Sequence, residues 1–133
     1  PYDVTKVNVE PPLSCDEEAQ HHKLGSLNSF IVGDLQSIKH SILNGTPVLI
    51  AIGVYKSFES GFTSTTGIVK IPKTKEETFL GGHEILIVGY KDFLSCFTCV
   101  NSWGTKWGNG GYGYLPYNYV ANKELTYSLN CIK

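Results

Sequence analysis

Two residues of types that support nucleophilic catalysis, His83 and Asn101, lie close together in the sequence. A histidine takes and returns a proton near neutral pH because the pKa of its imidazole lies in that range. A neutral amide accepts a hydrogen bond from the imidazole and fixes its orientation without adding a negative charge. The pair therefore supplies a base and its orienting group, two of the three functions that a thiol nucleophile needs; the thiolate is the third.

The elements around these residues predict that they meet at one edge of a sheet. His83 begins a predicted strand over 83–90, a short connection follows at Lys91-Asp92, and Asn101 ends a second predicted strand over 93–101. Both strands are short, adjacent and apolar, which favours an antiparallel pair. The start of one antiparallel strand lies beside the end of its partner, so we expect a hydrogen bond between the two side chains if both point to one face.

A glycine-rich stretch with two tryptophans follows Asn101. Trp103 is expected to cover the contact between His83 and Asn101 and to exclude water from it. Residues 104–113 contain five glycines, too many for a regular element, and these let the backbone bend around the indoles of Trp103 and Trp107.

The remaining pattern predicts one main helix and an antiparallel sheet. Asp34 as N-cap, apolar residues at helical spacing and Asn44-Gly45 as a stop predict a helix over 34–43. The apolar run 47–54 predicts a strand buried on both faces or nearly so. Further strands are predicted at 112–115 and 124–131, loops at 57–67 and 72–77, and irregular structure over 1–33. We therefore expect an α+β fold and a single domain over residues 1–133.

Composition excludes several classes of function. The 133 residues are 41% hydrophobic and 17% charged with a net charge of −1, which is typical of a globular protein and gives no reason to expect nucleic acid as a partner. The longest apolar run, 48–54, is too short to cross a bilayer, so no membrane is expected either. Pro1 is an unusual first residue and favours a processed or truncated chain.

Two stretches closely resemble the papain-like cysteine peptidases. Residues 82–90, GHEILIVGY, are similar to the family's histidine strand, and residues 101–112, NSWGTKWGNGGY, are similar to its asparagine motif. Residues 44–48 and 54–58 resemble the helix-to-strand passage upstream of them. Tyr2-Asp3 and residues 115–117 resemble a branch typical of bacterial and viral members. The resemblance covers most of residues 1–120.

The resemblance implies the C-terminal, right-hand half of a two-domain peptidase, a half-barrel of antiparallel strands. In that family a Cys-His-Asn site cleaves peptide bonds. On this reading His83 and Asn101 are catalytic, and Gly82, Ser102, Trp103 and Trp107 support them. No metal or cofactor is implied. The cysteine and the oxyanion-hole glutamine precede the histidine in the family, and neither motif is present here, so the chain alone is expected to be inactive.

The implied partners are an N-terminal half that carries the cysteine, peptide or protein substrates, and possible protein inhibitors. Relatives of this kind act in lysosomes, outside cells or in viral settings, and those compartments are favoured over the nucleus. A half on its own should expose an apolar surface and associate tightly with the other half or with a second copy.

None of the four cysteines is a convincing replacement for the missing nucleophile. Cys15 is followed by Asp16, Glu17 and Glu18, whose charges disfavour a thiolate. Cys96 and Cys99 lie on the asparagine strand, on opposite faces by their odd spacing, and Cys131 follows both motifs. Disulfides, a metal site and buried free thiols all remain open for the four.

Two other functions remain alternatives. A papain-like module without activity could bind peptides or proteins, although such a module has no need for the His83–Asn101 pair. Zinc or redox chemistry at Cys96 and Cys99 lacks a second Cys-x-x-Cys. Adjacent His21 and His22 lack metal-ligand spacing as well. Glu84 replaces the small residue usually found beside the histidine, and faces either the cleft or the core.

Overall fold

The centre of the structure, a computed structural model that describes residues 3–23 and 25–132, is an open antiparallel sheet. Its six described strands are arranged in the order β1-β6-β2-β3-β4-β5, and every neighbouring pair is antiparallel. The strands are β1 (Leu27–Ser29), β2 (Val48–Tyr55), β3 (Phe79–Lys91), β4 (Cys96–Val100), β5 (Tyr112–Pro116) and β6 (Thr126–Ile132). The helices are α1 (Leu13–Ala19), α2 (Leu35–Leu43), α3 (Gly61–Thr66) and α4 (Tyr117–Val120), with 3-10 turns at Val4–Lys6 and Asp92–Leu94. The α+β prediction is confirmed.

Helix α2 is the main helix that the sequence predicts, and its ends are capped as expected. The Asp34 carboxylate accepts hydrogen bonds from the Ser37 amide at 3.1 Å and from the Ser37 hydroxyl at 2.6 Å. The hydroxyl bond first, and then the amide bond, hold the pKa of Asp34 below its ordinary value. Gly45 ends the helix with a φ of 76°. Ile38, fully buried on α2, packs the helix against the core.

The core lies on one face of the sheet only. On β2 the side chains of Val48, Ile50 and Ile52 are fully buried. Leu49 alternates with them and is 37% exposed, so the prediction that this strand is buried on both faces is wrong. Leu49 pairs with Leu86, and Ala51 pairs with Glu84. These four residues form a sheet face, here called the uncovered face, on which no described helix packs closely enough to bury them.

The loop predicted at 57–67 is wrong, because the segment contains α3. The Ser60 hydroxyl caps the first turn by accepting from the Thr63 amide at 3.2 Å, and Gly67 ends the helix with a φ of 74°. Thr65 and Thr66 donate their hydroxyls to the carbonyls of Gly61 and Phe62 at 2.8 Å. The caps at both ends outweigh the weak helix propensity of a Ser/Thr-rich segment.

Other boundaries also differ from the predictions. Strand β3 begins at Phe79, so His83 lies inside it rather than at its start. The strand predicted over 93–101 is shorter, because a 3-10 turn occupies Asp92–Leu94 and Ser95 follows with a φ of 49°. The last strand begins at Thr126 rather than at residue 124. The segment 1–33 is predicted to be irregular, but its described residues contain α1 and β1.

Candidate active site

The hairpin of β3 and β4 places His83 beside Asn101. Leu86 on β3 pairs with Val100, the last residue of β4, and Asn101 follows immediately. His83 Nε2 lies 2.9 Å from Asn101 Oδ1, a hydrogen-bond distance. Asn101 is 7% exposed, and its backbone N–H donates to the Gly111 carbonyl at 3.0 Å. The orienting side chain is therefore buried and fixed through its backbone.

A backbone bond next to Asn101 determines the tautomer of His83. The Ser102 amide, which can only donate, lies 2.8 Å from Asn101 Oδ1. This atom must therefore be the oxygen of the Asn101 side-chain amide. The imidazole nitrogen that contacts it must then donate a hydrogen as well. In neutral His83 the proton is consequently on Nε2, and Nδ1 has a lone pair free to accept a proton.

Trp103 stacks on the imidazole of His83. The ring centroids of Trp103 and His83 are 4.9 Å apart, and the ring planes are inclined by 29°. Trp103 itself is 41% exposed, so one side of the indole protects the imidazole and much of the rest is open.

A second layer of aromatic rings supports Trp103. Trp107, which is 8% exposed, meets Trp103 edge to face, with ring centroids 5.8 Å apart. Phe58 stacks on Trp107 at 5.8 Å and contacts Trp103 at 5.7 Å and His83 at 6.2 Å. The four rings form an aromatic cluster in which Phe58 touches the other three. The sequence gives no chemical reason to choose Phe58 as a site residue. Its position in the stretch 54–58, which resembles the family's helix-to-strand passage, is the one signal that could have indicated it.

Two further predicted residues lie at the edge of this cluster. Ser102 is exposed, and its part in the site is the backbone bond to Asn101. Gly82 is exposed, and a Cβ added there would meet no atom within 4 Å. A hollow of about 100 Å³ opens beside the imidazole, and none of its lining residues is a cysteine or a serine: Val54, Glu59, Leu80, Gly81, Gly82, His83 and Trp103. The hollow is thus an open space bordered by a base, His83, and none of its lining residues is a nucleophile.

The cysteines lie elsewhere. All four are free thiols; Cys15 is exposed on α1, and Cys96, Cys99 and Cys131 are buried. Burial, and next to it the neighbouring Cys96 thiol, raises the pKa of Cys99 far above its ordinary value. Burial also raises the pKa of Cys96. Among the residues that the structure describes, no three His, Cys, Asp or Glu side chains are grouped to hold a metal ion.

Glu84 lies on the uncovered face of β3, opposite Ala51. It is exposed, so the alternative of a core position is wrong. The Glu84 carboxylate makes no hydrogen bond or ion pair within residues 3–23 and 25–132.

The loop around Trp107 depends on glycine at position 108, which gives a testable prediction. Gly108 has a φ of 61°, and a Cβ there would lie 2.4 Å from the Tyr112 carbonyl oxygen. Gly110 has a similar φ of 66° with nothing within 4 Å. Gly110→Ala should cost about 1 kcal/mol of unfolding free energy from backbone strain alone, and Gly108→Ala about 2–4 kcal/mol because the carbonyl must also move. Urea unfolding measures both; equal losses would contradict the clash.

Phe58 provides a second prediction, because it joins the core to the imidazole. Phe58→Leu should lower the unfolding free energy by about 1–2 kcal/mol, as should Phe97→Leu at a fully buried core position away from the cluster. The Phe58 change should also alter the ¹⁵N shifts of the His83 imidazole and the Trp103 indole, since it removes their shared packing partner. NMR spectra of both variants test this; equal effects on the His83 signals would contradict it.

Comparison with known proteins places this geometry in a family. The model of the papain family cysteine proteases matches residues 1–129. An uncharacterized peptidase C1-like protein of Acanthamoeba polyphaga mimivirus is 36% identical over an alignment of 131 positions, which covers 93% of this chain and 42% of the viral protein. Cathepsin L of Sarcophaga peregrina is 32% identical over an alignment of 83 positions, which covers 60% of this chain and 23% of the relative.

Solved structures agree. Xylellain, a cysteine protease from Xylella fastidiosa, matches with a TM-score of 0.85 and 32% identity over 93% of this chain and 45% of that one. Digestive procathepsin L 3 of Tenebrio molitor shares the fold with a TM-score of 0.63 at 21% identity, over 83% of this chain and 35% of that one.

The chain belongs to the papain family of cysteine proteases, and its α+β fold is the papain-like domain fold. The resemblance seen in the sequence is thereby confirmed. The chain spans less than half the length of its viral relative and of xylellain. No described helix is long and apolar enough to span a membrane.

Proposed function

We propose that this chain is the C-terminal half of a cysteine peptidase, and that an N-terminal half carries the nucleophilic cysteine. The observation that supports this most is the state of His83. Its Nε2–H is directed to Asn101, its Nδ1 is free, and it borders a hollow without a nucleophile. A base prepared in this way, in a chain less than half as long as its relatives, suits a thiol supplied from outside the chain.

The proposed chemistry is acyl transfer through a thiolate. His83 Nδ1 takes the proton of the cysteine thiol, and the thiolate attacks the carbonyl carbon of a peptide bond. The imidazolium gives that proton to the leaving amine as the carbon–nitrogen bond breaks. Water then attacks the acyl-enzyme, His83 takes a proton from it, and the thiol recovers a proton as the acid product leaves. Asn101 holds the ring through both stages, and Trp103 shields their hydrogen bond.

The complete protein would act on peptides or proteins, and its cleft could also receive protein inhibitors. Residues 1–133 would form one domain of it. The cysteine-bearing half would cover apolar groups near His83, among them Leu80, 45% exposed, and Trp103. Cathepsin-like and viral relatives support a lysosomal, secreted or virus-associated setting.

An epoxide that traps active-site thiols tests this function. The protein that joins this chain to the sequence encoded before it should be labelled at one cysteine in that preceding part, and His83→Ala should slow the labelling strongly. The 133-residue chain should not be labelled. A serine or glycine in place of the upstream cysteine would favour the binding module instead. Epoxide attached to Cys15 in the 133-residue chain would contradict the proposal directly.

A further inference from the structure

The carboxylate of Glu77 joins two backbone segments that precede and follow α3 in the sequence. Its Oε2 accepts a hydrogen bond from the Ser57 backbone N–H at 3.0 Å, and its Oε1 accepts one from the Lys73 backbone N–H at 3.0 Å. Ser57 lies just after β2, and Lys73 lies in the loop that leads into β3, the strand of His83. Glu77 therefore fastens the segment after β2 to the segment before β3.

Both bonds together require a carboxylate at position 77. An ionised carboxylate has two acceptor oxygens and no donor, whereas a glutamine of the same shape has one acceptor oxygen and an NH2 group that donates. Glutamine would therefore leave one of the two backbone N–H groups facing another donor. Hydrogen bonding by Ser57, and next by the Lys73 amide, holds the pKa of Glu77 below its ordinary value. Both bonds are consequently present at neutral pH and are lost only as the pH falls through that lowered value.

Ser57 directly precedes Phe58, so the Glu77 bond lies next to the ring that supports the imidazole. The Ser57 carbonyl accepts a hydrogen bond from the hydroxyl of the fully buried Thr63 at 3.1 Å. Ser57 is thus held at its N–H by Glu77 and at its carbonyl by Thr63. The Phe58 ring is 1% exposed and lies 6.2 Å from the His83 ring, centroid to centroid. Because the interior is close-packed, a shift of Ser57 would move the Phe58 ring against the imidazole.

We infer that Glu77 is a positioning residue, which acts through the Phe58 ring on the imidazole of His83. It neither touches the substrate nor exchanges protons in the reaction. Asn101 fixes the imidazole at Nε2, and Phe58 meets the same ring edge to face, with the planes inclined by 73°. Both contacts together set the direction in which Nδ1 points. The effect on catalysis rests on the proposed function, whereas the effect on the surroundings of the imidazole does not.

Glu77→Gln in the protein that contains both halves tests the inference, with Glu76→Gln as the matched control. Glu76 is the adjacent carboxylate; its side chain is 68% exposed and pairs with the Lys73 ammonium at 3.1 Å. Glu77→Gln should lower kcat roughly tenfold and leave KM unchanged, because a displaced base loses alignment while the substrate still binds. It should also speed hydrogen exchange at the Ser57 amide and shift the ¹⁵N signals of the His83 imidazole. Glu76→Gln should change none of these.

The unmodified protein supplies a measurement that does not depend on a folded variant. Because the Ser57 and Lys73 amides donate to one carboxylate, their proton shifts should change with the same apparent pKa as the solution is acidified. The ring signals of Phe58 should respond at that same pKa. Separate titrations of the two amides, or Phe58 signals that do not respond, would overturn the inference.

The outcomes of the variants separate the two proposals. In a protein that hydrolyses peptides, a Glu77→Gln variant with the parent kcat and unchanged His83 signals would overturn the positioning role alone. Equal effects of Glu77→Gln and Glu76→Gln would overturn it as well. A protein that hydrolyses no peptide, but whose His83 signals shift in Glu77→Gln and not in Glu76→Gln, would overturn the proposed function and leave the positioning of the imidazole standing.

Discussion

Replacing His83 with alanine should lower kcat/KM for peptide hydrolysis by roughly 10⁴-fold in the protein that joins both halves, because the general base and the general acid disappear together. The loss should appear in kcat rather than in KM, since His83 transfers protons during the reaction and does not bind the substrate. His83 is one ring of the aromatic cluster, and Phe58, Trp103 and Trp107 remain to fill the core edge. The variant should therefore fold.

Steady-state kinetics with a peptide that releases a fluorophore measures this effect. His40→Ala is the matched control, because His40 is an exposed histidine on α2 and makes no side-chain bond to the aromatic cluster. It should retain full activity. Circular dichroism of both variants should match the parent protein. A His83→Ala variant that keeps a tenth or more of the parent kcat would refute the role of His83 as base.

Changing Asn101 should have the second largest effect, and two substitutions distinguish its role. Asn101→Ala removes the acceptor for His83 Nε2–H and for the Ser102 amide, and should lower kcat roughly 10²-fold because the ring loses its orientation. Asn101→Asp keeps an acceptor oxygen for both donors and should remain within about tenfold of the parent, since a carboxylate still orients the ring and favours imidazolium.

The pH profile of kcat/KM provides the readout that loss of packing would not produce. Asn101→Asp should move the limb that reports the imidazolium to higher pH, because the added negative charge raises the pKa of His83 in that variant. His83→Ala combined with Asn101→Ala should be no slower than His83→Ala alone, since the two act as a unit. Additive losses, or identical pH profiles for Asn101→Asp and the parent, would contradict a positioning role for Asn101.

The chemistry of the site was more accessible from the sequence than its packing. His83 and Asn101 are separated by a short hairpin, and antiparallel pairing over so few residues leaves little freedom in where the two ends meet. Asp34 and Gly45 bound α2 through local capping, which sequence patterns describe well. Phe58 could not be chosen in this way, because its contacts with Trp103, Trp107 and His83 depend on how α3 and the glycine-rich loop fold over it.

The errors have physical reasons as well. The composition of residues 57–67 opposed a helix, but the Ser60 cap and the buried Thr63, whose hydroxyl bonds to the Ser57 and Ile68 carbonyls, stabilise α3. The apolar run of β2 suggested burial on both faces, but Leu49 and Ala51 lie on the uncovered face. The apolar residues of that face lie on a surface that the described residues do not cover. A sequence pattern cannot distinguish such a surface from a core within the chain.

The hydrogen bond from the Asn101 backbone amide to the Gly111 carbonyl also affects the stage of synthesis at which the protein could become active. In the proposed protein the ribosome produces the thiol first, then His83, then Asn101 and lastly the glycine-rich loop. Domains generally fold in the order in which they emerge. Until residue 111 has been made and has closed over Asn101, the nascent chain contains a cysteine without an oriented base. Such a protease would be harmless throughout its own translation and would become active only as its last strands form.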